Sequence, residues 1–209
     1  MSDRIPTLKI VKETTFVNPS AEHVDFYLCG NIGDASDYIE WFQKLRGARD
    51  TDVIRIHINA CGGDMYTMVQ LVDAIKCSKS RVIAYAEGQV FSAATMVFLC
   101  CDGFYISPWS SFMFHTYSTG IFGKSSEITA NLEFKQKYTK TLFDDMYEHI
   151  LSAEEIENLY TGSDIWITAS EMSLRLTARN KIRNAEHEEA IKPVKKPAKM
   201  KPRAKTTKR

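Results

Sequence analysis

Along residues 24 to 115 the apolar positions change period several times. "VDFYLCG" (24–30) is a short apolar run closed by Gly30 and reads as a strand. "DASDYIEWFQKLRGA" (34–48) places Tyr38, Phe42 and Leu45 at helical spacing. "DVIRIHINA" (52–60) is a near-continuous apolar strand. "GGDMYTMVQLVDAIKCS" (62–78) reads as a glycine turn, then a helix with Met65, Met68, Val69, Val72 and Ile75 on one face. "RVIAYAE" (81–87) is a further strand, and "SAATMVFLCCDG" (92–103) a helix stopped by Gly103. "FYIS" and "SFMFH" are two short strands around "PWS".

This alternation predicts an α/β domain: a parallel sheet with helices on its faces. Sites in such sheets lie just beyond the carboxyl ends of the strands. Three points fall there: "NACGG", "GQVFS" and His115 at the end of "SFMFH". The topology predicts that they sit side by side.

Residues 124 to 161 have another pattern. Ile128, Leu132, Phe134, Tyr138, Leu142, Met146 and Ile150 recur every two to four positions in a long charged segment. Both faces of such a helix cannot be core in a domain of this size. It is expected to project and meet another subunit. Residues 1–23 read as irregular, with a short strand at "LKIV".

Composition narrows the classes. The chain has 209 residues, 44% hydrophobic, enough for one sizeable domain with an appendage. No apolar run reaches the ~18 residues of a membrane span. The first twenty residues are charged throughout and lack an apolar core, so no secretory signal is expected and the expected compartment is the cytoplasm. The five cysteines are odd in number and form no C-x-x-C pair; three read as buried, reduced thiols. Neither a disulfide nor a structural zinc site is expected.

The net charge of +1 hides an asymmetry. The tail 192–209 holds nine Lys and Arg, three Pro and no acid, which leaves 18 basic against 26 acidic residues in the body. Such a tail cannot bury enough surface to order itself. It reads as a solubilising segment or as an arm for nucleic acid or an acidic partner.

The strand ends carry candidate chemistry. A serine hydroxyl needs a base to take its proton, an acid to orient that base, and N–H donors for the oxyanion. Ser92 starts a helix after a strand, at the positive end of the helix dipole. His115 follows 23 residues later, "NACGGD" offers a close-approaching backbone, and Asp164 stands in "GSD" after the long segment. Each has a plainer reading: a helix cap, a satisfied strand-end histidine, a turn, a capping aspartate. The residues alone leave both readings open.

The motifs in order resemble a known family. "INACGGDMYTMVQLVDAI" is similar to the Ile-Asn-Ser-Pro-Gly-Gly segment of the Clp protease proteolytic subunit (ClpP). "AEGQVFSAATMVFLCCDG" resembles its Gly-Gln-Ala-Ala-Ser-Met-Gly segment, "FYISPWSSFMFHTYSTGIFG" its Pro-x-Ser-x-x-Met-x-His stretch, and "SDIWITASEM" its Asp-x-Phe-x-Ser-Ala-x-Glu-Ala. Order and spacing agree over about residues 24–175. The short N-terminus and the "GGD" variant look more like the ClpP-like peptidases of bacteriophage genomes than the housekeeping enzyme.

The resemblance implies a ClpP/crotonase-like fold of stacked ββα units with a protruding handle helix at about 124–151. It implies an N-terminal segment 1–23, a peptidase domain 24–180 and a basic tail 181–209 without stable structure. It implies a serine endopeptidase: Ser92 the nucleophile, His115 the general base, Asp164 the orienting acid, with the N–H groups of Gly63 and Ala93 as oxyanion hole. No metal or cofactor is needed. Polypeptide substrates, stacked heptameric rings, and a place in phage head maturation or ATPase-linked proteolysis follow from the same resemblance, with an AAA+ unfoldase partner left open. The alternatives are a non-catalytic ClpP-like ring subunit and a crotonase-type acyl-CoA enzyme. The chain departs from the family pattern at Cys61, Val90, Phe91, Ala93, Ala94, Thr116, Tyr117 and Leu176.

Overall fold

A computed structural model describes residues 21–118, 120 and 122–191. The strand expected at "LKIV" and the basic tail 192–209 lie outside the described residues. Six strands form one sheet: β1 (His23–Ile32), β2 (Val53–Gly63), β3 (Arg81–Phe91), β4 (Gly103–Ile106), β5 (Ser111–Phe114) and β6 (Ile165–Thr168). The order is β1-β2-β3-β5-β6, with β4 also on β3. All pairings are parallel except β5 with β6. The expected α/β class and parallel sheet are present.

β3 serves two partners in succession. Its residues Ile83–Ala86 pair with β4 and Gln89–Phe91 pair with β5. Two register shifts accompany this. Between β1 and β2 the pairing jumps from Gly30↔Ala60 to Asn31↔Gly62, leaving Cys61 as the extra residue. Between β2 and β3 it jumps from Ile58↔Ala86 to Ala60↔Val90. Such bulges bend a strand and re-aim its end. The side-chain oxygen of Asn59 fills the gap by accepting from the Gln89 N–H at 3.2 Å. "CGG" was expected as a turn; it continues β2, because Asn31 and Ile32 of β1 still pair with Gly62 and Gly63.

The helices are α1 (Ile39–Gly47), after a 3₁₀ turn at Ala35–Tyr38, then α2 (Met65–Lys76), α3 (Ala93–Leu99), α4 (Ser125–Met146), α5 (Ala153–Tyr160) and α6 (Ala169–Ile191). α2 begins where Asp64 accepts from the Thr67 N–H at 2.8 Å, a side-chain cap that ends β2 and starts the helix. All seven residues of α3 are buried, so this short helix is core on every side. Leu28, Ile56, Ile58, Ala84, Val90 and Phe112 of the sheet belong to the same buried cluster.

The long segment 124–161 is two helices rather than one. α4 ends at Met146, and the turn 147–152 buries Tyr147, Ile150 and Leu151 before the Ser152 cap of α5. Only Thr139, Phe143 and Met146 of α4 are buried, all in its second half. Its first half projects into solvent, as the expected handle does. α6 runs unbroken through residue 180, the expected domain limit.

Three of the five cysteines were expected to be buried. Only Cys101 is; Cys29, Cys61 and Cys77 are exposed and Cys100 is half-buried. Cys29 lies on a β1 position whose side chain leaves the core face, and Cys61 is the bulged residue. Neighbouring apolar letters did not reveal which face each thiol takes. All five are free thiols.

Candidate active site

β3 ends at Phe91 and the next residue turns the chain sharply. Ser92 has φ 54 and ψ −127, a conformation that a non-glycine residue adopts at a cost of about 1–3 kcal/mol. Several contacts hold it there. Its N–H donates to the Met113 carbonyl at 2.8 Å, tying it to β5. Its carbonyl accepts from the Thr95 N–H at 2.9 Å and from the Thr95 hydroxyl at 2.6 Å. That hydroxyl in turn meets the buried Tyr147 hydroxyl at 2.9 Å. Burial raises Tyr147 well above the ordinary phenol range, so the phenol stays neutral.

Ser92 occupies the N-cap position of α3 but its side chain makes no capping bond. The hydroxyl is turned instead to His115, whose Nε2 lies 2.7 Å from Ser92 Oγ. The plain reading of Ser92 as a helix cap is therefore excluded. The β3–β5 pairing, Phe91↔Met113, sets the two side chains at the ends of adjacent strands.

Gly62 is packed against the serine. A Cβ there would stand 2.6 Å from Ser92 Cβ and 3.1 Å from Ser92 Oγ, and its φ is +98. A Cβ on Gly63, at φ +142, would stand 2.3 Å from the Ile32 carbonyl oxygen. Both positions exclude a side chain: at Gly62 this lets the β2 backbone approach the hydroxyl closely, and at Gly63 it lets β2 close against β1.

Gly63, Ser92, Ala93 and His115 line one cleft of about 440 Å³. The Ala93 N–H, first in its helix, has no intrahelical acceptor. The far wall is apolar: Met68, Met96, Leu142, Phe143 and Tyr147, the last three from the buried second half of α4 and the turn after it. Lys135 of α4 also reaches the cleft.

Asp164 is not joined to this group. It is exposed, and among the described residues no hydrogen bond links it to His115. The β5–β6 register ends at Phe114↔Ile165, so the next opposed pair along the two chains is His115 with Asp164. Of the five site residues expected from sequence, four meet in the cleft and the fifth stands across the strand pair from it. Sequence reasoning missed Thr95, Tyr147 and the contact of Gly62 with Ser92. The first two carry no signal beyond apolar context, and the glycine pair had pointed to Gly63 alone.

Among the described residues no group of His, Cys, Asp and Glu side chains is arranged to hold a metal, and no helix is long and apolar enough to cross a membrane.

Comparison with known proteins shows the family. The "ATP-dependent Clp protease proteolytic subunit 2" of Pseudomonas aeruginosa is 27% identical over 166 residues, covering 78% of this chain and 82% of that protein. The family model described as Clp protease matches residues 24–174, from the second residue of β1 into the first turns of α6. That span takes in all of the sheet but its first residue, with the cleft and the handle, and the chain belongs to the Clp protease family.

Proposed function

We propose that the chain is a serine endopeptidase that cleaves peptide bonds by acyl transfer to Ser92. The observation that carries this is the 2.7 Å contact between His115 Nε2 and Ser92 Oγ inside a lined cleft. His115 takes the hydroxyl proton as Oγ attacks the scissile carbonyl, and gives it to the leaving amine. The carbonyl oxygen gains negative charge in the tetrahedral intermediate, and the N–H groups of Ala93 and Gly63 receive it. The ester that results is hydrolysed by water, with His115 as base again. Asp164 orients the imidazole; opposed residues on an antiparallel pair have Cβ atoms about 5 Å apart, a gap that two side chains span. The apolar wall of Met68, Met96, Leu142 and Phe143 accepts an apolar substrate side chain.

The chain works as an oligomer in this reading, through the exposed half of α4, as in the stacked rings of its family. A fluorophosphonate probe followed by peptide mapping tests the chemistry. Labelling of Ser92 that disappears in His115→Ala supports the endopeptidase. No labelling of the assembled protein leaves the non-catalytic ring subunit as the better reading.

A further inference from the structure

Helix α3 carries Ser92 at one end; at its other end a buried cation has no anion. Arg179 of α6 is 2% exposed. Its Nη1 donates to the Leu99 carbonyl at 3.2 Å, and its guanidinium lies over the Phe104 ring at 5.1 Å from the centroid. Its Nε has no hydrogen-bond partner. Among the described residues neither Arg179 nor Arg183, one turn further along α6, forms an ion pair. Burial first, and then the neighbouring Arg183 charge, lower the Arg179 pKa to about 10. Buried charges are normally paired, and breaking such a pairing is costly. A carbonyl and an aromatic face supply part of the compensation, but neither is an anion.

Beside the two arginines is a cavity of about 300 Å³, also lined by Lys76 and Cys100. Three carboxylates share its wall, each with another partner. Asp102 Oδ2 accepts from the Val82 N–H at 2.8 Å. Asp145 is 3.8 Å from Lys76, both well exposed, a weak contact. Glu148 is 3.7 Å from His149.

We propose that this cavity binds a small free oxyanion of the phosphate class, held by Arg179 and Arg183 with Lys76 at its mouth. A dianion suits the place better than a carboxylate does. It offsets the repulsion of two guanidiniums four residues apart, and it offers several oxygens to donors on different elements. Binding draws Lys76 from its loose contact with Asp145. The site owes nothing to the peptidase chemistry, so Ser92→Ala protein binds the same anion.

Isothermal titration of the full chain with inorganic phosphate, against chloride at equal ionic strength, tests it. The expected result is saturable binding with a raised thermal midpoint, lost in Arg179→Met and weakened about tenfold in Arg183→Gln. If Arg179→Met does not fold, Arg183→Gln and Lys76→Gln decide alone. Phosphate that gives no saturable signal beyond chloride overturns the proposal. So does an Arg183→Gln protein that titrates like the wild type.

Discussion

His115 Nε2 lies 2.7 Å from Ser92 Oγ across 23 residues of sequence. The distance is set by the sheet, since Phe91 pairs with Met113 and the Ser92 N–H bonds the Met113 carbonyl. Removing either side chain leaves that backbone frame in place. Ser92→Ala and His115→Ala are each expected to lower peptide turnover by about 10³-fold or more. Their far-ultraviolet circular dichroism should match the wild type. The serine also sits at positive φ, so Ser92→Gly should be equally inactive yet about 1 kcal/mol more stable than Ser92→Ala. Equal unfolding midpoints for those two variants would contradict strain at this residue.

Gly62 reports on the same frame from the other side. Its substitution by Ala drives a Cβ to 2.6 Å from Ser92 Cβ, at a φ that disfavours alanine. We expect Gly62→Ala to slow fluorophosphonate labelling sharply and to destabilise by about 1–3 kcal/mol. Gly47 is the control. A Cβ there meets nothing within 4 Å and its φ is ordinary, so Gly47→Ala should leave labelling unchanged. A Gly62→Ala protein that labels at the wild-type rate would show that the serine has room the geometry denies it.

The Thr95 and Tyr147 hydroxyls give an asymmetric prediction. Thr95 donates to the Ser92 carbonyl, so it accepts from Tyr147. Tyr147→Phe removes a donor and leaves Thr95 with its acceptor, at a cost of about 1 kcal/mol. Thr95→Val leaves the buried Tyr147 hydroxyl without a partner and costs about 1–3 kcal/mol. Chemical denaturation of the two single variants compares them directly, and the reverse order would mean the donor assignment is wrong.

His57 lies on the open face of the sheet, in one register row with Tyr27, Tyr85 and Tyr105. Its Nδ1 is 2.9 Å from Glu87 Oε1 and its Nε2 is 3.2 Å from Asp25 Oδ1, while Arg55 holds Asp25 from beside it. Burial alone would lower its pKa; the bonds to Glu87 and Asp25 outweigh this and raise it above the ordinary 6.5. The folded protein therefore keeps this proton more tightly than the unfolded chain. The stabilisation is complete below about pH 6.5 and is lost as pH rises through the folded value. His57→Gln should flatten that part of the curve of unfolding midpoint against pH. A wild-type midpoint that rises over the same range relative to His57→Gln would reverse the sign.

The sequence was most readable where one residue's surroundings are fixed by its strand or helix. β1, β2 and β3 showed as apolar runs because one face of each is buried, and α2 showed its buried stripe. Legibility failed where one chain answers to another. The bulge at Cys61 depends on how β1 and β2 slide, so "CGG" read as a turn. The break at Tyr147 depends on a pocket formed by Phe114 and Thr95, which no local period shows. Ser92 and His115 were marked by their places at strand ends, but only the family pattern chose the catalytic reading; their contact arises from β3 changing partner from β4 to β5. Asp164 was found the same way, and only the β5–β6 register relates it to the histidine.

The exposed half of α4 carries the last prediction. Leu132 and Phe134 are 40% and 60% exposed, and two positions apart on a helix they point in different directions. One more helix packed on one side would not cover both, whereas interdigitation with a second handle would. Tyr138 extends this surface, stacked with Phe134 at 6.0 Å and tilted against Tyr66 of α2 at 6.3 Å. The same patch on two copies makes a self-complementary contact. Leu132→Glu with Phe134→Glu puts like charges into it and touches no buried residue of the subunit. Mass measurement in solution should show the double variant shifted to a smaller species, with unchanged circular dichroism and a subunit that still unfolds cooperatively. A double variant whose mass equals that of the wild type would mean that the handle half of α4 does not hold subunits together.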